Sequence, residues 1–389
     1  MAAKIIYLVY ILVPLILLIG AKCAGRGEWN GDFLSLDQSK AYQGFLAFCI
    51  MLHHIGQKTC ASWLYPPTRI VHGLDLFVPI GYLMVAVFLF FNGYGSFLSV
   101  KTKKDYLKGY PVKRILPLVF LFYLVQIIFT VTRYLIGERI SGKQAAYYLS
   151  GAQLSNPNAW YIIMLPFFYL VFYLAFRILK SDAAAIIVIF VCFIAYLLAG
   201  TRIDHNDWWI CGEWWYNSAI FFPVGILFAK HRDKIIAHLK RHYKLYLVLS
   251  ILLLYPLFAL SEVAQGIFSY YGETWGAPDT VLRRRICLLS QILVAFDFVF
   301  VSLMIGLKVR IGNRFLKFMG GLTLEFYLIH GLFVELCDHE FDGGVPSPFP
   351  IGNVALYCIV VFALAIPSAL LIKAAGNGFR KLVGKKSTV

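Results

Sequence analysis

From Leu74 to Leu98 the chain reads LDLFVPIGYLMVAVFLFFNGYGSFL, and from Ser99 to Arg114 it continues SVKTKKDYLKGYPVKR. The first stretch carries a single charge, Asp75. A bilayer core of about 30 Å is crossed by about 20 apolar residues in a helix, and a helix satisfies its own backbone polar groups in lipid. The second stretch holds Lys101, Lys103, Lys104, Lys108, Lys113 and Arg114. Short loops rich in Lys and Arg collect on the cytoplasmic side of a membrane. Together the two stretches predict a spanning helix that ends at a cytoplasmic loop.

The rest of the chain follows this pattern. Of its 389 residues, 60% are apolar and 14% charged, where a soluble domain has roughly 45–50% and about 25%. A water-soluble globule could not hide that apolar surface, and intrinsic disorder and nucleic-acid binding are excluded as main readings. Eleven apolar runs read as spans: 4–20, 40–56, 74–98, 115–132, 159–179, 184–200, 215–230, 244–261, 286–307, 321–337 and 351–373. With 99–114 inside, alternation places 26 of the 36 Lys and Arg residues on the cytoplasmic side. The expected fold is therefore all-α integral membrane with about 11 transmembrane helices, N-terminus outside and C-terminus cytoplasmic. The net charge of +16 reads as topology rather than as a nucleic-acid footprint. Residues 1–35 are expected to form an N-terminal transmembrane helix and cytoplasmic loop, 36–375 the main membrane domain, and 376–389 a basic cytoplasmic tail.

The eight cysteines lack metal-ligand spacing, and no metal site is expected. A link among Cys60, Cys211 and Cys337 on the outer side is one possibility. The 201–216 loop holds Asp204, His205, Asp207, Trp208, Trp209, Glu213, Trp214 and Trp215, and a later outer loop holds Asp338, His339, Glu340 and Asp342. The tryptophans suit an interfacial belt or a sugar-stacking surface.

Polar groups inside spans are expensive and mark function. Gln43 and His54 are eleven residues apart, close to three helical turns, so they share a face. His54 falls near the outer end, and an imidazole exchanges protons near neutral pH. His53 points about 100° away. Asn92, Gly93 and Tyr94 close the inner half of the third run, where the glycines let a second backbone approach closely, as a packing seam or a kink. Lys113 and Arg114 stand at a helix entry and suit phosphates. Thr323, Tyr327 and His330 share one face of the tenth run. Asp297 lies mid-span and is expected to face protein or water, either neutral or paired with a base such as an arginine of 283–285 reaching inward.

Four segments in order resemble the acyltransferase 3 family of integral-membrane acyltransferases, which modify cell-surface glycans and lipids. They are Ser39-Lys40-Ala41-Tyr42-Gln43-Gly44 running on to His53-His54, Phe90-Phe91-Asn92-Gly93-Tyr94-Gly95, Tyr106 through Lys113-Arg114-Ile115-Leu116-Pro117, and Leu324-Glu325-Phe326-Tyr327-Leu328-Ile329-His330. The resemblance spans roughly residues 36–375. Gln43 stands where the family usually has Arg or Lys, and Asn92 where it usually has Ser. The resemblance implies a ten-helix core, to which the first run adds a helix, and a bacterial cytoplasmic membrane.

It also implies a reaction, with O-acetylation as the expected form. Acyl-CoA, most simply acetyl-CoA, would bind from the cytoplasm with Lys113 and Arg114 on its phosphates and its pantetheine arm beside Asn92, Gly93 and Tyr94. His54 would be the general base on a hydroxyl of an extracytoplasmic glycan or glycolipid, with Tyr327 and His330 as further catalytic candidates. The implied partners are acyl-CoA, that acceptor and membrane lipid. Two rivals fit the same sequence: a transporter or flippase for a lipid-linked glycan, and an inactive scaffold of the same fold, which the Gln43 departure keeps open.

Overall fold

In a computed structural model, residues 2–205, 208–268, 276–341 and 344–386 are described. Among them the chain is helical almost throughout. The α-helices are α1 (Val9–Leu18), α2 (Leu36–Thr59), α3 (Gly81–Thr102), α4 (Leu116–Leu135), α5 (Gly142–Ser150), α6 (Trp160–Ile178) and α7 (Asp182–Gly200). They continue with α8 (Phe221–Lys230), α9 (Arg232–Arg241), α10 (Tyr243–Ile267), α11 (Thr280–Gly306), α12 (Arg314–Gly320), α13 (Thr323–Cys337) and α14 (Val354–Lys386). Two short antiparallel pairs, β1 (Lys22–Cys23) with β2 (Val309–Arg310) and β3 (Glu340–Phe341) with β4 (Val345–Pro346), tie loops together.

Among the described residues seven helices are long and apolar enough to cross a membrane, and eight if α12 and α13, bent by 85° at their junction, count as one span. The protein is an all-α integral membrane protein. Each of the eleven expected runs carries helix, but not each as a long apolar one. The runs 4–20 and 215–230 are realised as shorter apolar helices, Ile5–Leu18 and Phe221–Lys230. The run 40–56 lies in α2, whose polar residues keep it out of the apolar group.

The helices divide by what surrounds them. The window of the segment Asp75–Thr102 is 61% buried, that of α10 only 17%. On α10, Leu245, Val248, Leu249, Leu252 and Tyr255 are exposed, as are Ile187, Val191, Ile194 and Leu198 on α7. Such a face has no solvent but lipid. The segment ending in α3 is central, and α7 and α10 are peripheral.

Close glycine contacts set the two seams that matter for the site. A Cβ on Gly93 of α3 would collide with the Phe222 carbonyl oxygen of α8, and one on Gly225 of α8 with the Phe90 carbonyl oxygen of α3. The two backbones interlock, as small residues allow in a membrane. Likewise a Cβ on Gly44 of α2 would strike the backbone of Met319 and Gly320, and one on Gly320 the Lys40 carbonyl. Beyond Gly320 the chain bends, so α13 leaves this contact in a new direction and packs again on α2. Asn313 caps α12 by accepting from the Leu316 N–H at 2.9 Å, and also donates to the Ile16 carbonyl at 2.7 Å, which holds α1 against this corner.

Candidate functional site

A cleft of about 1170 Å³ opens at the end of the helix assembly away from the basic 101–114 loop. The end of α2, the start of the Asp75–Thr102 segment, the start of α6, the ends of α10 and α13 and the residues before α8 all line it. His53, His54 and Tyr327 lie on its wall.

His54 Nδ1 lies 2.7 Å from His330 Nε2, and His330 Nδ1 lies 2.9 Å from the Phe326 carbonyl oxygen, one turn back on α13. The two rings are within 6° of coplanar. A carbonyl only accepts, so the proton of a neutral His330 sits on Nδ1 and its Nε2 becomes an acceptor. His54 must then donate from Nδ1. This leaves a lone pair on His54 Nε2, the arrangement a general base needs. Both histidines are buried, His330 completely. His53 is fixed separately, with Nδ1 2.8 Å from the Phe77 carbonyl oxygen.

Tyr327 stands beside the pair, 6.5 Å from the His54 ring and 5.5 Å from the ring of Tyr161. From there a polar and aromatic seam crosses the protein. Asn92 donates to Tyr161 Oη at 2.9 Å and accepts from Tyr169 Oη at 2.9 Å. Tyr169 meets Tyr110, Tyr110 meets Tyr106, and the Arg114 guanidinium lies 5.7 Å over the Tyr106 ring. The structure therefore places His54, His330, Tyr327, Asn92 and Arg114 along one line from the cleft to the basic end. Lys113 is exposed beside Arg114.

Gly93 and Tyr94 leave this line. The space expected at Gly93 for a pantetheine arm is filled by the α8 backbone, because the residue serves helix packing. Tyr94 is buried on the Phe228 side, near Arg232. Gln43 is half-buried on α2 well below His54.

The structure also places the cysteines, Asp297 and the outer tryptophans. Among the described residues no disulfide joins Cys60, Cys211 or Cys337. Cys60 Sγ instead faces the Val71 carbonyl at 3.1 Å and accepts from the Leu74 N–H at 3.2 Å. Burial raises its thiol above the usual range. Asp297 is not paired with the arginines of 283–285. Arg283 binds Asp279, Arg284 the Ile203 carbonyl and Arg285 Thr201, while Asp297 Oδ2 has no hydrogen bond among the described residues. The 201–216 tryptophans are dispersed. Trp209 donates to the Gly151 carbonyl at 2.7 Å, Trp208 packs on Tyr147, Trp215 is buried, and Trp214 faces the cleft. Asp207 and Asp342 lie outside the described residues.

Several cleft residues, Lys58, Arg69 and Glu335 among them, escaped the sequence reading. Lys58 binds Glu335 at 2.9 Å and Asp338 at 3.8 Å, and Arg69 reaches Asp338 at 3.5 Å and Glu340 at 3.7 Å. Burial raises the Asp338 carboxyl above its usual range, although both cations oppose the shift. Asn156 donates to the Leu328 carbonyl at 2.9 Å, which docks the 156–159 turn on α13 and sets Trp160 and Tyr161 beside Tyr327. The spacing of Tyr161 and Tyr169, eight apart on one apolar helix, was the signal available for the seam.

A family described as an acyltransferase domain matches residues 40–372. The match includes the two histidines, the seam and the basic pair, and begins after α1. No curated protein and no solved structure matches.

Proposed function

The chain belongs to this acyltransferase family, and from that premise we propose that it moves an acyl group, acetyl in the simplest case, from cytoplasmic acyl-CoA to a hydroxyl of an extracytoplasmic glycan or glycolipid. The setting proposed is a bacterial cytoplasmic membrane, with the N-terminus outside and the C-terminus cytoplasmic. The carrying observation is His54 on the cleft wall, whose hydrogen bond to the buried His330 leaves its Nε2 open to a proton.

The chemistry follows from that atom. The acceptor hydroxyl enters the cleft and gives its proton to His54 Nε2 as its oxygen attacks the thioester carbonyl. The tetrahedral adduct expels the CoA sulfur, which takes the proton back from His54. An ester bond forms, a thioester bond breaks, and the base is restored. The donor would come from the opposite end, its phosphates on Lys113 and Arg114 as point charge and fork and its arm along the Asn92–Tyr161–Tyr169 seam. Donor and acceptor thus meet at His54 from opposite sides of the membrane.

Acetyl-CoA binding by calorimetry and transfer to glycan acceptors test this in the purified full chain. Arg114→Ala should weaken acetyl-CoA binding at least tenfold. His54→Ala should keep donor binding and lose about 10²–10⁴-fold in transfer, the usual worth of a positioned base. No binding of acetyl-CoA or longer acyl-CoA up to millimolar, or full transfer by His54→Ala, would overturn the proposal.

A further inference from the structure

The cleft is strongly unbalanced in charge. Its described lining carries Asp75, Glu213, Glu262, Glu335, Asp338 and Glu340 against two fixed cations, Lys58 and Arg69. Both cations face carboxylates: Lys58 binds Glu335 and Asp338, and the two Nη atoms of Arg69 face Asp338 and Glu340. Arg69 Nε is buried. An incoming anion would have to displace one of these ion pairs.

The sector across the cleft from Lys58 is polar, aromatic and acidic. Asn217 donates to Gln291 Oε1 at 2.9 Å. Tyr82 Oη lies near Ser261 but makes no well-formed hydrogen bond with a described residue. Trp160 and Trp214 add flat apolar faces, and Glu262, with Gln265 at 3.4 Å, has no cation against it among the described residues. Amides, a hydroxyl and indole faces match the hydroxyls and ring face of a sugar.

We propose that this cleft selects sugars that are neutral or carry an amine and rejects sugars that carry a carboxylate or phosphate. The proposal rests on the reading of the cleft as the acceptor chamber. A fixed carboxylate about 8 Å from an acceptor's own anion, at an effective dielectric of about 20, costs roughly a factor of 30. Water and salt in an open cleft reduce this, and at least tenfold discrimination is expected. An amine would gain from the same field, chiefly through Glu262.

The test is equilibrium binding to the purified full chain at fixed ionic strength, without donor, read by calorimetry and tryptophan fluorescence. Methyl glucoside, methyl glucosaminide and methyl glucuronide share one ring and differ in charge. The first two should bind at least tenfold more tightly than the glucuronide, and Glu262→Gln or Glu340→Gln should narrow the gap at least threefold. Glucuronide binding as tight as glucoside, an unchanged gap in both variants, or no binding of any of the three up to 100 mM (roughly the weakest range for a sugar site) would overturn it. His54→Ala should keep the same order. Intact charge selection without transfer would therefore count against the acyl-transfer reading alone, and transfer to an anionic sugar at the neutral rate against this one alone.

Discussion

His54 has its character set by one neighbour. His330 acts on it through a single 2.7 Å hydrogen bond and does not itself line the cleft, so it is a positioning residue. Replacing it separates this role from mere packing. His330→Leu removes the acceptor for His54 Nδ1, so the tautomer with a free Nε2 loses its support. Transfer should fall 10–100-fold in kcat with little change in acceptor KM, and His330→Gln, which keeps an accepting oxygen, should recover a clear part. Equal loss in both variants, or a loss confined to KM, would count against the tautomer argument. His54 was legible in the sequence as a polar residue at the outer end of a span. Its pairing with His330, 276 residues away, was not, since each residue alone is also a plausible interfacial histidine.

Among elements, the glycine seams have the sharpest consequence. Gly93 and Gly95 sit two residues apart on α3, yet only Gly93 meets α8, and a Cβ at Gly95 has nothing within 4 Å. What Gly93 meets is backbone, which cannot rotate away. Overpacking costs typically about 1–3 kcal/mol and occasionally more. Gly93→Ala should lower the melting temperature by several degrees or abolish a monodisperse detergent-solubilised species, and Gly95→Ala should leave both unchanged, as followed by fluorescence-detected size exclusion and thermal unfolding. A stable Gly93→Ala variant would show that α3 and α8 tolerate separation. The sequence shows the small residues, but packing seam and ligand gap share that signature, and only the position of α8 separates them.

For the whole molecule, the basic 101–114 loop and the cleft lie at opposite ends, which the proposed orientation turns into a compartment statement. A C-terminal epitope should be protected from impermeant reagent in intact cells and become reactive after permeabilisation. A cysteine introduced at Ser62 on the cleft rim, in a background lacking native cysteines, should label without permeabilisation. The reverse pattern would invert the orientation and place the acidic cleft in the cytoplasm.

Composition and the spacing of apolar runs by themselves determined that this chain is an α-helical membrane protein, where its helices fall and which loops are basic. These are local properties, because a helix satisfies its backbone within its own segment and its length is set by the bilayer. The tertiary structure decided which runs are long spans and which are short helices. It also decided that Asn92 joins the seam while Gly93 and Tyr94 turn to α8, and that Lys58 and Arg69 are tied to carboxylates. Those features depend on contacts between distant segments. The 85° bend between α12 and α13 sends one helix back across another, so the direction of a lone pair or the charge of a cleft is written in no single stretch of chain.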